Sequence, residues 1–121
     1  MILDHIGLSV SDYAASKAFY AAALAPLGIN LIDEKHGWAG FGRNGKPEFW
    51  IGSQDGPQKP MHLGFAAENR AQVQAFYAAA LAAGATDNGP PGLREIYHPR
   101  YYGAFVIGPD GHNIEACCHH E

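Results

Sequence analysis

Two histidines and a glutamate stand where they could bind a metal ion. His5 opens the string His5-Ile6-Gly7-Leu8, His62 opens His62-Leu63-Gly64-Phe65, and Glu115 lies in Asn113-Ile114-Glu115-Ala116, near the end of the 121-residue chain. Two imidazoles and a carboxylate with coordination positions left open suit a catalytic divalent ion such as Mn, Fe, Ni or Zn. A lone strand histidine is more often a hydrogen-bonded structural residue than a ligand. The case for chemistry rests on the three residues holding related positions.

That relation comes from an internal repeat. Ala-Phe-Tyr-Ala-Ala-Ala-Leu-Ala runs from residue 18 to 25 and again from 75 to 82, the same 57-position offset that separates His5 from His62. Register kept from strand through helix marks a duplicated module. Gly42, Gly45 and Phe49 match Gly108, Gly111 and Glu115 at an offset of 66, so the second copy carries nine extra residues between its helix and its last strands. Module one is expected over about residues 1–57 and module two over about 58–121. Together they form a single domain, 1–121, because about 60 residues bury too little surface to stand comfortably alone.

Periodicity supplies the elements. Ile6, Leu8 and Val10 alternate with His5, Gly7 and Ser9, which predicts a half-buried strand within residues 2–10 with His5 facing away from the packed side. Ser11 or Asp12 is a suitable helix N-cap, and Pro26 with Gly28 stops that helix. The second module repeats the plan: a strand over 62–66, a helix starting near Glu68 or Asn69, and Gly84 at its end. Further strands are expected over 29–33, 37–41, 48–51, 102–107 and 113–118, which makes each module β-α-β-β-β and the fold class α+β. In the last strand Asn113, Glu115 and Cys117 share a face opposite Ile114, Ala116 and Cys118, aiming Glu115 to the side on which the histidines lie.

Between the second helix and its strands lies Asn88-Gly89-Pro90-Pro91-Gly92, followed by Arg94, Tyr97, His98, Pro99 and Arg100. This is either a surface loop or a substrate lid. His98, Tyr101 and Tyr102 are candidates for general acid or base. His36, Trp38, Phe49 and Trp50 are candidate pocket walls, though packing is the commoner role of tryptophan. Arg94 and Arg100 could grip a carboxylate or phosphate. His112 follows a turn and is expected to be exposed. His119, His120 and Glu121 form a polar tail able to bind metal adventitiously.

A formal charge of −4 with no cluster of Lys or Arg argues against nucleic acid or an anionic membrane as partner. No apolar run approaches the roughly 20 residues that span a bilayer, and the first residues lack a basic, signal-like region. Cys117 and Cys118 are adjacent, too close for an ordinary disulfide, which suggests reduced thiols. The expectation is a cytoplasmic protein acting on a small molecule.

Asp4-His5-Ile6-Gly7-Leu8, Met61-His62-Leu63-Gly64-Phe65 and Gly108-Pro109-Asp110-Gly111-His112-Asn113-Ile114-Glu115-Ala116, in that order, resemble the vicinal oxygen chelate superfamily. That family includes glyoxalase I, extradiol dioxygenases, fosfomycin resistance thiol transferases, methylmalonyl-CoA epimerase and bleomycin resistance proteins. The resemblance implies tandem βαβββ modules forming a curved mixed sheet that cups a metal site, one helix per module on the outside, and a homodimer. It assigns the metal ligands to His5, His62 and Glu115, the metal acting as Lewis acid in lyase, dioxygenase or thiol-transferase type chemistry. Gly108 departs from the aspartate that the family usually has before Pro-Asp-Gly. The fourth ligand of glyoxalase I would fall, by the offset of 66, on Phe49, which cannot bind metal, and Glu48 would turn to the opposite face. A three-ligand set is similar to that of the dioxygenases and fosfomycin enzymes and disfavours glyoxalase I activity. The alternative is a metal-free module that sequesters a small molecule, like the bleomycin resistance proteins.

Overall fold

Local signals start and stop the elements. The Asp12 carboxylate accepts the Ala15 N–H to begin α1 (Tyr13–Leu24), and Asn69 does the same for the Gln72 N–H at the start of α2 (Arg70–Ala82). After α1 a short 3-10 turn carries Pro26 and ends at Gly28, whose φ of +76° places it in the left-handed region that glycine adopts without strain. The computed structural model describes residues 2–120.

The first module comprises β1 (Ile6–Ser9), α1, β2 (Asn30–Lys35), β3 (Trp38–Arg43) and β4 (Lys46–Gly52). The second comprises β5 (His62–Ala66), α2, the short β6 (Thr86–Asp87) and β7 (Gly92–Leu93), then β8 (Tyr102–Ile107) and β9 (Asn113–Cys118). The strand orders are β1-β4-β3-β2 and β5-β9-β8-β6, with β7 also on β8. β1 runs parallel to β4 and β5 parallel to β9, while the other pairings are antiparallel. The result is the α+β, tandem βαβββ arrangement with mixed sheets that the sequence predicts.

Residues 86–101 are more ordered than a surface loop. Phe105 donates its N–H to the Gly89 carbonyl and accepts from the Asn88 N–H, and the Arg94 N–H donates to the Tyr101 carbonyl. Strands of two residues are too short for periodicity to reveal.

The two modules share one core. Leu8, Phe41, Phe49 and Ile51 of the first sheet, Leu63, Val106 and Ile114 of the second, and Tyr20, Leu24 and Phe76 of the helices are all buried in it. Phe49 meets Tyr20 and Phe65 edge-on, with ring centroids 5.0 and 5.3 Å apart. Arg43 ties the modules further, donating to the carbonyls of Leu27 and Ala66. Among the described residues no helix is long and apolar enough to cross a membrane.

His112 departs from expectation: it is fully buried, and its Nδ1 accepts the Met61 N–H at 3.1 Å. The turn before it is a folded 3-10 turn that drives the ring beneath the chain instead of into solvent. Burial holds its pKa below the usual 6.5, with Asp110 partly opposing the shift.

Two outcomes follow. Phe49→Ala should destabilise the fold by about 3–5 kcal/mol in denaturant unfolding, the cost of emptying an aromatic core site. Because His112 binds its proton more weakly folded than unfolded, the unfolded chain takes up the extra proton below pH 6.5, and stability should fall as pH drops through that value. Denaturation midpoints between neutral and mildly acid pH should decline more steeply for the parent than for His112→Asn, which keeps an acceptor but does not titrate.

Candidate active site

The parallel register of β5 and β9 pairs Gly64 with Glu115, and the antiparallel register of β8 and β9 pairs Phe105 with Glu115 and Gly103 with Cys117. Cross-strand partners share a face. Glu115, Cys117, Phe105, Gly64 and His62 therefore line one side of the second sheet, while Ile114, Ala116 and Cys118 enter the core on the other. Glu115 is only 2% exposed, a costly placement for a carboxylate unless both oxygens are met. They are: Oε1 lies 2.8 Å from Nε2 of His62, and Oε2 accepts the Tyr101 hydroxyl.

Glycine makes the room. A Cβ on Gly64 would come within 3.6 Å of Oε1, and one on Gly103 within 3.1 Å of Oε2. Burial, then the neighbouring Cys117 and Glu115, raises the Tyr101 pKa far above that of a free phenol, so Tyr101 stays a proton donor. Burial chiefly raises the Cys117 thiol as well, which keeps it protonated and unsuited to act as a thiolate nucleophile. Phe105 lies beside His62, their centroids 6.0 Å apart, and the Arg94 guanidinium sits over Phe105 while donating to the Pro90 carbonyl.

The first sheet presents a different face. His5, just before β1, has Nδ1 2.8 Å from the Asp4 carboxylate, and Lys46 donates to the Asp4 carbonyl. Beside them opens a cavity of about 580 Å³ walled by Trp38 and Trp50.

One position must be reassigned. β1 pairs Ile6 with Phe49 and Gly7 with Trp50, as β5 pairs Leu63 with Ile114 and Gly64 with Glu115. Gly7 corresponds to Gly64, so the first-module counterpart of Glu115 is Trp50, and Phe49 corresponds to the core residue Ile114. The turn between β3 and β4 holds only Asn44 and Gly45, whereas that between β8 and β9 runs from Gly108 to His112. Matching glycines across turns of unequal length shifts the strand by one residue. The fourth ligand is still absent, since tryptophan offers no metal donor.

His62, Glu115 and Tyr101 are brought together, with Arg94 at the margin. His5, Trp38 and Trp50 gather on the other sheet. β1 pairs with β4 and β5 with β9, so the two histidine strands do not pair with each other, although Ile6 of β1 and Leu63 and Phe65 of β5 line one cavity. Accordingly, among the described residues no three His, Cys, Asp or Glu side chains cluster as a metal site. Tyr102 turns away from Glu115, because its partner Cys118 is on the core side; its hydroxyl accepts from Gln74 of α2 and Arg70 lies over its ring. Phe49 is a core residue outside the tryptophan cavity, but it does line a second cavity, of about 300 Å³, together with Ile6, Arg43, Leu63 and Phe65. Arg100 and His98 are exposed, with the Arg100 N–H donating to Nδ1 of His98. The His98 ring reaches the site only indirectly, through His119, which stacks edge-on against Tyr101. Glu121 lies outside the described residues. Cys117 and His119 escaped the sequence reading as site neighbours, although strand alternation already put Cys117 beside Glu115.

A family model described as the Glyoxalase/Bleomycin resistance protein/Dioxygenase superfamily matches residues 2–116. The chain belongs to this superfamily. It is 32% identical to a glyoxalase/bleomycin resistance protein from Albidiferax ferrireducens T118 whose crystal structure superposes with a TM-score of 0.84, each chain covered over 98% of its length. The fold recurs in a glyoxalase/bleomycin resistance protein/dioxygenase family enzyme from Burkholderia phytofirmans PsJN, at 18% identity and TM-score 0.73, covering 96% of this chain and 97% of that one. It recurs again in protein ATC0852 from Agrobacterium tumefaciens, at 22% identity and TM-score 0.70, with 100% and 99% covered. No functionally curated protein shows significant similarity.

Tyr101 and Glu115 should be energetically coupled. Tyr101→Phe alone leaves a buried carboxylate oxygen unpaired and should destabilise by about 1–3 kcal/mol. In a double-mutant cycle with Glu115→Gln, unfolding free energies should fail to add, the pair costing less than the sum of the singles.

Proposed function

We propose that this superfamily member is a metal-dependent enzyme whose divalent ion, Mn, Fe, Ni or Zn, is held by His62 and Glu115 of one chain and His5 of a second copy. The observation that carries this reading is the buried Glu115 carboxylate converging with a half-exposed imidazole. Nitrogen and carboxylate oxygen are the donor types these ions take, and within one chain the set stops at two. The third donor has to come from outside, and His5, just before the edge strand β1, is exposed.

A bound divalent ion would supply Lewis acidity to a small substrate bearing adjacent oxygens. The chain's own residues do the rest. Tyr101, kept protonated, gives its one hydroxyl proton to Oε2 of Glu115 and so holds that carboxylate in place. Cys117 stays neutral and does not compete as nucleophile. Phe105 and Arg94 wall the second-sheet side and limit water. Trp50 at the fourth position disfavours four-ligand glyoxalase I chemistry, leaving lyase, dioxygenase or thiol-transferase types. Metal-free sequestration of a small molecule is the second reading, favoured by the tryptophan cavity.

The experiment is metal analysis of untagged, metal-scrubbed protein after titration with each ion. The parent should bind near-stoichiometric metal, and His5→Ala and His62→Ala should each lose it. Mixing the two variants should restore binding in part, because a mixed dimer keeps one intact site. Equal weak binding in parent and variants would leave only the sequestration reading, and loss without restoration would place all ligands in one chain.

A further inference from the structure

The outer face of the first sheet is built to hold two indoles flat. Trp38 pairs with Gly52, and Trp50 with both Gly40 and Gly7. A Cβ added to Gly52 would come within 2.5 Å of the Trp38 ring, and one on Gly40 within 2.8 Å of the Trp50 ring. The rings thus lie against bare backbone and form the walls of the cavity of about 580 Å³. Tryptophans recruited only for packing would sit in the core; these face outward and remain partly exposed.

Cations stand at the rim. The Lys35 ammonium lies 5.6 Å from the Trp50 ring centroid, and its nearest carboxylate, Asp33, is 3.5 Å away. The hairpin turn His36-Gly37, both residues at positive φ, sets Lys35 opposite Trp38, and Gln54 pins that turn by donating to the His36 carbonyl. Lys46 is committed to Asp4, which also engages His5. Lys35, exposed and held only by the long ion pair with Asp33, is the cation more readily turned to a ligand, on a chain whose net charge is −4. Flat aromatic walls with one available ammonium select a planar ring carrying an anionic group.

We propose that this groove binds an aromatic carboxylate, its ring laid on the Trp38 and Trp50 indoles and its carboxylate at Lys35. As a substrate class this rests on the reading of the face as part of the active site, but the binding itself needs no metal.

Trp38 and Trp50 are the chain's only two tryptophans, so their fluorescence reports the groove directly. In chelator-treated protein, phenylacetate should bind about tenfold more tightly than cyclohexylacetate, which lacks the ring, or 2-phenylethanol, which lacks the charge. Lys35→Met should abolish the preference over 2-phenylethanol, and Trp50→Leu, read by calorimetry, the preference over cyclohexylacetate. Gly40→Ala, which displaces the Trp50 ring while keeping every wall residue, should weaken phenylacetate binding. Equal binding of the three probes, or a carboxylate preference unchanged in Lys35→Met, overturns the proposal. Phenylacetate binding as described in a protein that takes up no metal supports the ligand class and counts only against the metal.

Discussion

The aromatic junction between the two sheets fixes the direction in which everything else faces. Phe49 meets Tyr20 of α1 on one side and Phe65 of β5 on the other, so each sheet turns one face toward a common core. Strand alternation then compels Trp50 and His5 on the first sheet, and His62 and Glu115 on the second, to point out of that core. Arg43 reinforces the junction by closing on carbonyls of both modules. With the packed faces joined in this way, the strands β1 and β5 end as edges of different sheets, and the histidines that the repeat relates do not share a ladder.

Duplication has given the two outward faces the same floor and different furniture. Gly7 and Gly64 occupy equivalent places on the first strand of each module, and each clears space above the central strand. In the second module the space admits a carboxylate, an imidazole and a phenol; in the first it admits two indoles. The substitution of Trp50 for a residue like Glu115 is thus no simple loss. It exchanges a polar donor for a broad apolar surface, which changes what the face can bind.

Much of this was legible in the residues. The repeat offset, the capping residues Asp12 and Asn69 and the alternation in β9 all follow from local rules, and the structure agrees with each. What failed was whatever depended on turn length or tertiary pairing. The offset of 66 puts Phe49 opposite Glu115 because it aligns glycines across two turns of different size, and a slip of one residue in a strand reverses its faces. A polar residue after Pro-Asp-Gly carries no local signal of burial, so the sequence points His112 to solvent while the fold encloses it. Tyr102 and Tyr101 are adjacent and chemically alike, yet only the register of β8 on β9 decides that Tyr101 reaches Glu115 while Tyr102 serves α2. Which strands form free edges is likewise a property of the assembled sheets.

The two faces are complementary in a way neither is alone. The second sheet offers a buried carboxylate whose oxygens are occupied by His62 and Tyr101, with the neutral thiol of Cys117 beside it. The first offers room, aromatic walls and an available ammonium, but among its described residues no carboxylate matching Glu115. A ligand with a flat ring and adjacent oxygens needs both sets: one to hold its body, the other to manage the charge that develops on its oxygens. Since the aromatic junction turns the faces away from the shared core, the proposed second copy would set a first-sheet face against a second-sheet face without disturbing that core. In the proposed arrangement His5, exposed and paired with Asp4, would be the residue that reaches across, and Glu115, enclosed and met on both oxygens, the one whose position is fixed in advance.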